Sequence, residues 1–170
     1  FMVLLAAWQA VLARHAGQSD VAVGVPVAQQ PRPELEPLIG FFLNTLVMRA
    51  HVPGTTTWRA LVADVRARAL GAFAHQTVPF ERIIDELQPQ RDLTRTPFFQ
   101  VLFVLQNNPH GDLTLDGLTL SPVPAREYAS KYDLTLHVTP DEEGMQCTLQ
   151  YDASIFDRST IERLLRHFQT

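Results

Sequence analysis

Cysteine is almost missing from this chain. Cys147 stands alone in 170 residues, so no disulfide can form within it, which suits a reducing compartment. Lysine is as scarce, since Lys131 is the one lysine among fourteen cationic side chains. Arginine forks suit carboxylate pairing, but a compositional bias of the gene produces the same count. The formal charge is −4, which argues against nucleic acid as a partner, because phosphate-backbone affinity needs clustered Lys and Arg. There is no signal segment and no apolar run of membrane-spanning length. The expectation is a cytoplasmic chain without a membrane partner.

Reaction machinery is missing too. No phosphate-cradling glycine loop, nucleophile elbow or zinc-ligand pattern occurs. The six histidines (His15, His51, His75, His110, His137 and His167) are scattered without metal-ligand spacing. Cys147 alternates with Met145 and Leu149, the pattern of a core residue rather than a nucleophile. No residue is therefore nominated as catalytic, and no metal site is expected.

What is present is ordinary globular material, 46% hydrophobic and 19% charged, enough for one domain or one lobe of a larger one. Phe1, Leu4, Leu5, Trp8, Val11 and Leu12 make an amphipathic helix over 1–16, with Gly17 as its stop. Residues 21–28 read as a strand in which Pro26 argues for an edge or a bulge, and 41–52 as a second, more buried strand. Thr55, Thr56 and Thr57 offer caps for a helix carrying Trp58, Leu61, Val62, Val65, Ala69 and Phe73 on one face. Thr77 and Pro79 open a shorter helix with Phe80, Ile83, Ile84 and Leu87 inward, closed by Pro89. The apolar run 98–105 reads as a central strand covered on both faces, reached by a crossover. Asp116-Gly117 signals a hairpin within 113–120. A second hairpin pairs 133–139 with 145–151. Asp157 caps a last helix bearing Ile161, Leu164, Leu165 and Phe168. The sum is an α/β, two-layer lobe with helices packed on a mixed β-sheet. The first helix starts uncapped and the last reaches Thr170 without a terminator, so the chain reads as an excised segment.

Three blocks hold the candidate site residues. In IGFFLNT (39–45), Gly40 permits a close backbone approach. Asn44 offers a donor and an acceptor together, either to hold an amide or amine or to satisfy a neighbouring loop's backbone. In HQTVPFERII (75–84), His75 stands at a helix end, where it complements the negative pole or serves as a general base. Arg91, Asp92 and Arg95, before the apolar run, form either an anion-binding cluster or an ion-paired collar.

In order and spacing, IGFFLNT with Arg49 after it, HQTVPFERII and RDLTRTPFFQVLF resemble three successive core motifs of condensation domains in nonribosomal peptide synthetases. SKYDLTLHV (130–138) and the segment 149–169 resemble the end of such domains, so the similarity spans essentially the whole chain. Departures are small: Leu43 where Val is frequent, Thr77-Val78 where Asp-Leu or Asp-Tyr is usual, and Thr96 where Asn is common. The resemblance implies the two-lobed chloramphenicol acetyltransferase-like fold, with residues 1–170 as its C-terminal lobe. It implies amide formation between a donor thioester and an acceptor amine, both held on phosphopantetheine arms, with no cofactor bound directly. The implied partners are the N-terminal lobe, the upstream and downstream peptidyl carrier proteins and an adjoining adenylation domain. That family's catalytic His belongs to an HHxxxDG motif, a string that does not occur in these 170 residues. Carried over by position, Gly40, Asn44 and Thr45 would line the tunnel, with Lys131, Tyr132 and Asp133 facing the same cleft. Arg49, His75, Gln76, Pro79, Phe80, Arg91, Asp92 and Arg95 would serve as motif or scaffold residues. An epimerization lobe of the same fold and a non-catalytic carrier-docking module are the alternatives.

Overall fold

The computed structural model describes residues 1–28, 34, 38–89, 95–106, 118, 130–141 and 144–170. Five strands form one mixed sheet in the order β2-β1-β3-β4-β5. These strands are β1 (Asp20–Ala28), β2 (Leu43–His51), β3 (Val101–Leu105), β4 (Leu134–Asp141) and β5 (Gly144–Tyr151). The helices are α1 (Met2–Ala16), α2 (Trp58–Ala74), α3 (Phe80–Leu87) and α4 (Arg158–Gln169). β1, β3 and β4 run parallel, and β2 and β5 close the two edges antiparallel. The parallel pairs require crossovers, and α2 and α3 occupy the one between β2 and β3.

Alternation along the strands fixes the core. Val21, Val23 and Val25 of β1 share a face with Leu46, Met48 and Ala50 of β2, and with Phe103, Leu134, Leu136 and Val138 further along the sheet. α1, α2 and α4 cover that face. α1 supplies Leu5, Trp8 and Leu12 to the core, and Gly17, at φ 61°, ends it in the left-handed conformation that favours glycine. Trp8 meets Phe168 of α4 edge-on at 5.7 Å, an arrangement aromatic pairs favour. The Thr57 hydroxyl accepts from the Ala60 N–H and starts α2. In the β4–β5 hairpin, Leu136 pairs with Leu149 and Val138 with half-buried Cys147.

Several expectations need correction. β1 is an interior strand, not an edge. Its pairing with β3 is recorded only at Gly24–Leu102, so Pro26 withholds no N–H from a second ladder. β2 is the edge and is no more buried than β1, since each buries four of its nine residues. The apolar run beginning at Phe98 becomes strand only at Val101, since Phe98 takes φ 70° and breaks the extended backbone. No described helix covers the second face of that strand. Trp58 and Leu87 are exposed; each sits at a helix end, beyond reach of the sheet. The predicted hairpin at Asp116-Gly117 lies outside the described residues. Among the described residues no helix is long and apolar enough to cross a membrane.

Candidate functional site

The crossover from β2 to β3 builds the site. α2 ends at His75, an exposed residue whose N–H donates to the Ala72 carbonyl, while the Gln76 N–H donates to that of Phe73. The next five residues wrap past the start of β2, and Asn44 pins them there. Its Nδ2 donates to the carbonyl oxygens of Gln76 (2.8 Å) and Val78 (2.7 Å), while its Oδ1 accepts from the Phe80 N–H (3.1 Å). Both amide hydrogens and one lone pair are thus spent on main chain, in a side chain 8% exposed. Of the two readings open for Asn44, this geometry favours the one in which it satisfies a neighbouring loop. α3 then opens at Pro79 and carries Phe80 toward the sheet.

On the sheet face turned away from α1, α2 and α4, the Phe99 ring lies over Gly24. A Cβ at position 24 would stand 2.3 Å from that ring, so only glycine leaves room for it. Phe80 packs on Phe99 at 5.7 Å between ring centroids, and Phe99 on Tyr132 at the same distance. Lys131 sets its ammonium 5.6 Å from the centre of the Tyr132 ring, within cation–π range.

This aromatic row walls a cavity of about 570 Å³. Thr45 and Leu43 of β2, Pro26 of β1, Leu102 of β3, and Glu81 and Ile84 of α3 complete the lining with Phe41 and Thr96. Of the residues singled out from sequence, Asn44, Thr45, Pro79, Phe80, Lys131 and Tyr132 come together here. Gly40 is exposed and lies outside the lining. Asp133 lies outside as well, its carbonyl accepting from the Asp152 N–H at 3.1 Å. Arg49 is remote from this cavity; it pairs in a fork with Asp20 across the far end of the β1–β2 ladder. That pairing holds the Asp20 carboxyl below the usual carboxylate range. Arg95 is exposed, and Arg91 and Asp92 fall outside the described residues.

Sequence reasoning missed Phe99, Glu81 and Leu102. A lone glycine inside the valine-rich strand VAVGVPVA was the available signal for a close approach. Among the described residues the lining holds no imidazole, thiol or aspartate, and no three His, Cys, Asp or Glu side chains group to hold a metal ion. The arrangement can receive an apolar group beside exposed charges; it carries no nucleophile–base pair.

A mixed sheet with helices on one face, and on the other an aromatic cleft whose described lining holds no imidazole, is the arrangement of a chloramphenicol acetyltransferase-like fold. The family model described as Condensation domain matches residues 1–170, and the chain belongs to that family. It is 45% identical over 172 residues to one of the subunits of linear gramicidin synthase from Brevibacillus parabrevis, a match covering all of this chain and 3% of that protein. Malpinin synthetase of Mortierella alpina is 45% identical over 163 residues, covering 96% of this chain and 2% of that protein. Among solved structures, a four-domain nonribosomal peptide synthetase bound to AMP and glycine matches with a TM-score of 0.90 at 21% identity, over 99% of this chain and 14% of that one. The X-domain from teicoplanin biosynthesis matches at 0.85 and 27% identity, over 98% of this chain and 40% of its own. The chain thus spans a few per cent of the curated relatives named here.

Proposed function

We propose that residues 1–170 are the C-terminal lobe of an amide-forming condensation domain in a nonribosomal peptide synthetase. The acceptor's amine nitrogen attacks the donor's thioester carbonyl; the C–N bond forms, the C–S bond breaks, and the donor's phosphopantetheine leaves as the thiol. The proton lost by the amine ends on that sulfur. An HHxxxDG imidazole on a companion lobe would relay it, assistance worth about 10²–10⁴ in rate. This chain's contribution is positional. Thr45, Phe80, Lys131 and Tyr132 form a wall of the tunnel, Asn44 and Gln76 fix the turn carrying Phe80, and Arg49 holds the sheet's far end. Upstream and downstream carrier proteins and an adenylation domain are the partners.

One observation carries this reading: the Condensation domain match runs over residues 1–170, on a cleft whose described lining holds no imidazole. The test is dipeptidyl-thioester formation by the intact synthetase with both carriers loaded. Product that disappears when the upstream histidine is replaced is expected. No product from cognate carriers, with that motif intact, would sink the reading.

A docking role has one observation in its favour: the teicoplanin X-domain, 28% identical here, has been solved in complex with OxyB. Recruitment of a partner enzyme without amide formation, in the same assay, would favour it.

A further inference from the structure

The neutral polar groups at the cavity are the Asn44 amide and the hydroxyls of the half-buried Thr45, Thr96 and Tyr132. Asn44 has given its amide to the 76–80 turn, and the two charged lining residues, Glu81 and Lys131, are both exposed. The rest of the lining is apolar: Pro26, Ile84, Leu102 and the rings of Phe80, Phe99 and Tyr132 lie within it, with Phe41, Leu43 and Pro79 exposed at its edge. A charged group buried among these residues would shed water and find only neutral hydroxyls, which is costly.

The wall is also closely packed. Phe99 is 1% exposed, seated on Gly24 and held between Phe80 and Tyr132. Phe99 is therefore the backing of the wall, and the half-buried rings of Phe80 and Tyr132 present the surface on which another ring can stack. The volume, about 570 Å³, falls within the range of small-molecule sites. Glu81, in the first turn of α3, puts a carboxylate beside this apolar space, which complements an ammonium.

From these observations we infer that the cavity receives an aromatic or large apolar aminoacyl group, its side chain against Phe80 and Tyr132, which Phe99 backs, and its free amine toward Glu81. The inference deepens the condensation reading and rests on it for the arm that delivers the group. Apolar pockets discriminate by side-chain size about 10- to 200-fold, so a phenylalanyl group should be preferred over an alanyl group within that span.

The test separates binding from chemistry. Phenylalanyl- and alanyl-pantetheine, each with an amide in place of the thioester so that no transfer occurs, are titrated calorimetrically into the intact synthetase. The wild type should bind the phenylalanyl probe at least 10-fold more tightly. Phe80→Ala, which removes one ring, and Gly24→Val, which lifts Phe99 from its seat, should each collapse that preference. Should Gly24→Val fail to fold, Phe80→Ala carries the result alone. Glu81→Gln should weaken both probes alike, by about two- to five-fold, because the amine is common to them. Equal affinities in the wild type, or a preference that survives Phe80→Ala, overturns the inference even when amide synthesis is normal. Selective binding without amide synthesis upholds the cavity's assignment and overturns the condensation reading instead.

Discussion

Asn44 does the work of three backbone partners at once. It joins two carbonyls and one N–H of the part-buried 76–80 turn, and a hydrogen bond of that kind contributes about 0.5–1.5 kcal/mol net. Asn44→Ala should therefore make local opening of the turn easier, and amide exchange over residues 78–82 of the intact protein should accelerate about 10- to 100-fold. Asn44→Asp is the more telling variant. A carboxylate still accepts from the Phe80 N–H but turns an acceptor toward two carbonyl oxygens, so its exchange should be at least as fast as that of the alanine variant. Hydrogen-exchange mass spectrometry reads both. Protection that Asp preserves and Ala loses would mean that the two donated bonds carry nothing. Condensation rate should fall with the protection, because the same turn carries Phe80 into the cavity.

At the scale of elements, the contact between α1 and α4 has a chemical tie as well as a packed one. His15 Nε2 lies 2.9 Å from His167 Nδ1, so one ring donates and the other accepts, which requires at least one of them neutral. Partial burial, then the neighbouring His167 and Arg163, pull His15 below the usual imidazole value; burial alone does the same to His137 on β4. Both folded values thus lie beneath the unfolded one of about 6.5, so the unfolded chain binds protons first. The stability these groups contribute is complete above that value and is lost as pH falls from it through the lower folded values. Amide exchange at the ends of α1 and α4, corrected for intrinsic pH dependence, should rise between pH 7.5 and 5, and His15→Phe should flatten the change. Stronger protection at pH 5 would contradict it. Much of this layer was legible beforehand: the 3.6-residue stripe of α1, the Thr57 cap and the alternation of β4 and β5 each depend on neighbours in sequence. The cleft was less so. Phe98 and Phe99 read as the start of a strand because periodicity does not register a single positive φ. That Gly24 seats a ring 75 positions away is a tertiary fact, to which an isolated glycine only points.

For the molecule as a whole, the question is which surface has no cover. Three helices shield one face of the sheet, yet the approach to β2 carries bare apolar side chains: Ile39 at 105% and Phe41 at 87% exposure, flanked by Leu38 and Leu43. Single exposed apolar residues are common, but a run of this kind marks a contact surface. Phe41 and Leu43 also line the cavity, so whatever covers the run closes the cleft from the same side. The condensation reading assigns that cover to the companion lobe, since the chain accounts for 40% of the X-domain it matches. Two outcomes follow from that assignment. Expressed alone, residues 1–170 should self-associate in sedimentation velocity, more strongly as concentration rises, and Ile39→Ser with Phe41→Ser should shift the distribution toward monomer. In the intact synthetase, hydroxyl-radical footprinting should find Phe41 protected, because there the lobe interface already buries it. A chain that is monomeric alone at high concentration, with Phe41 as reactive in the intact protein as in the isolated one, would leave the run without a partner and the cleft without its second wall.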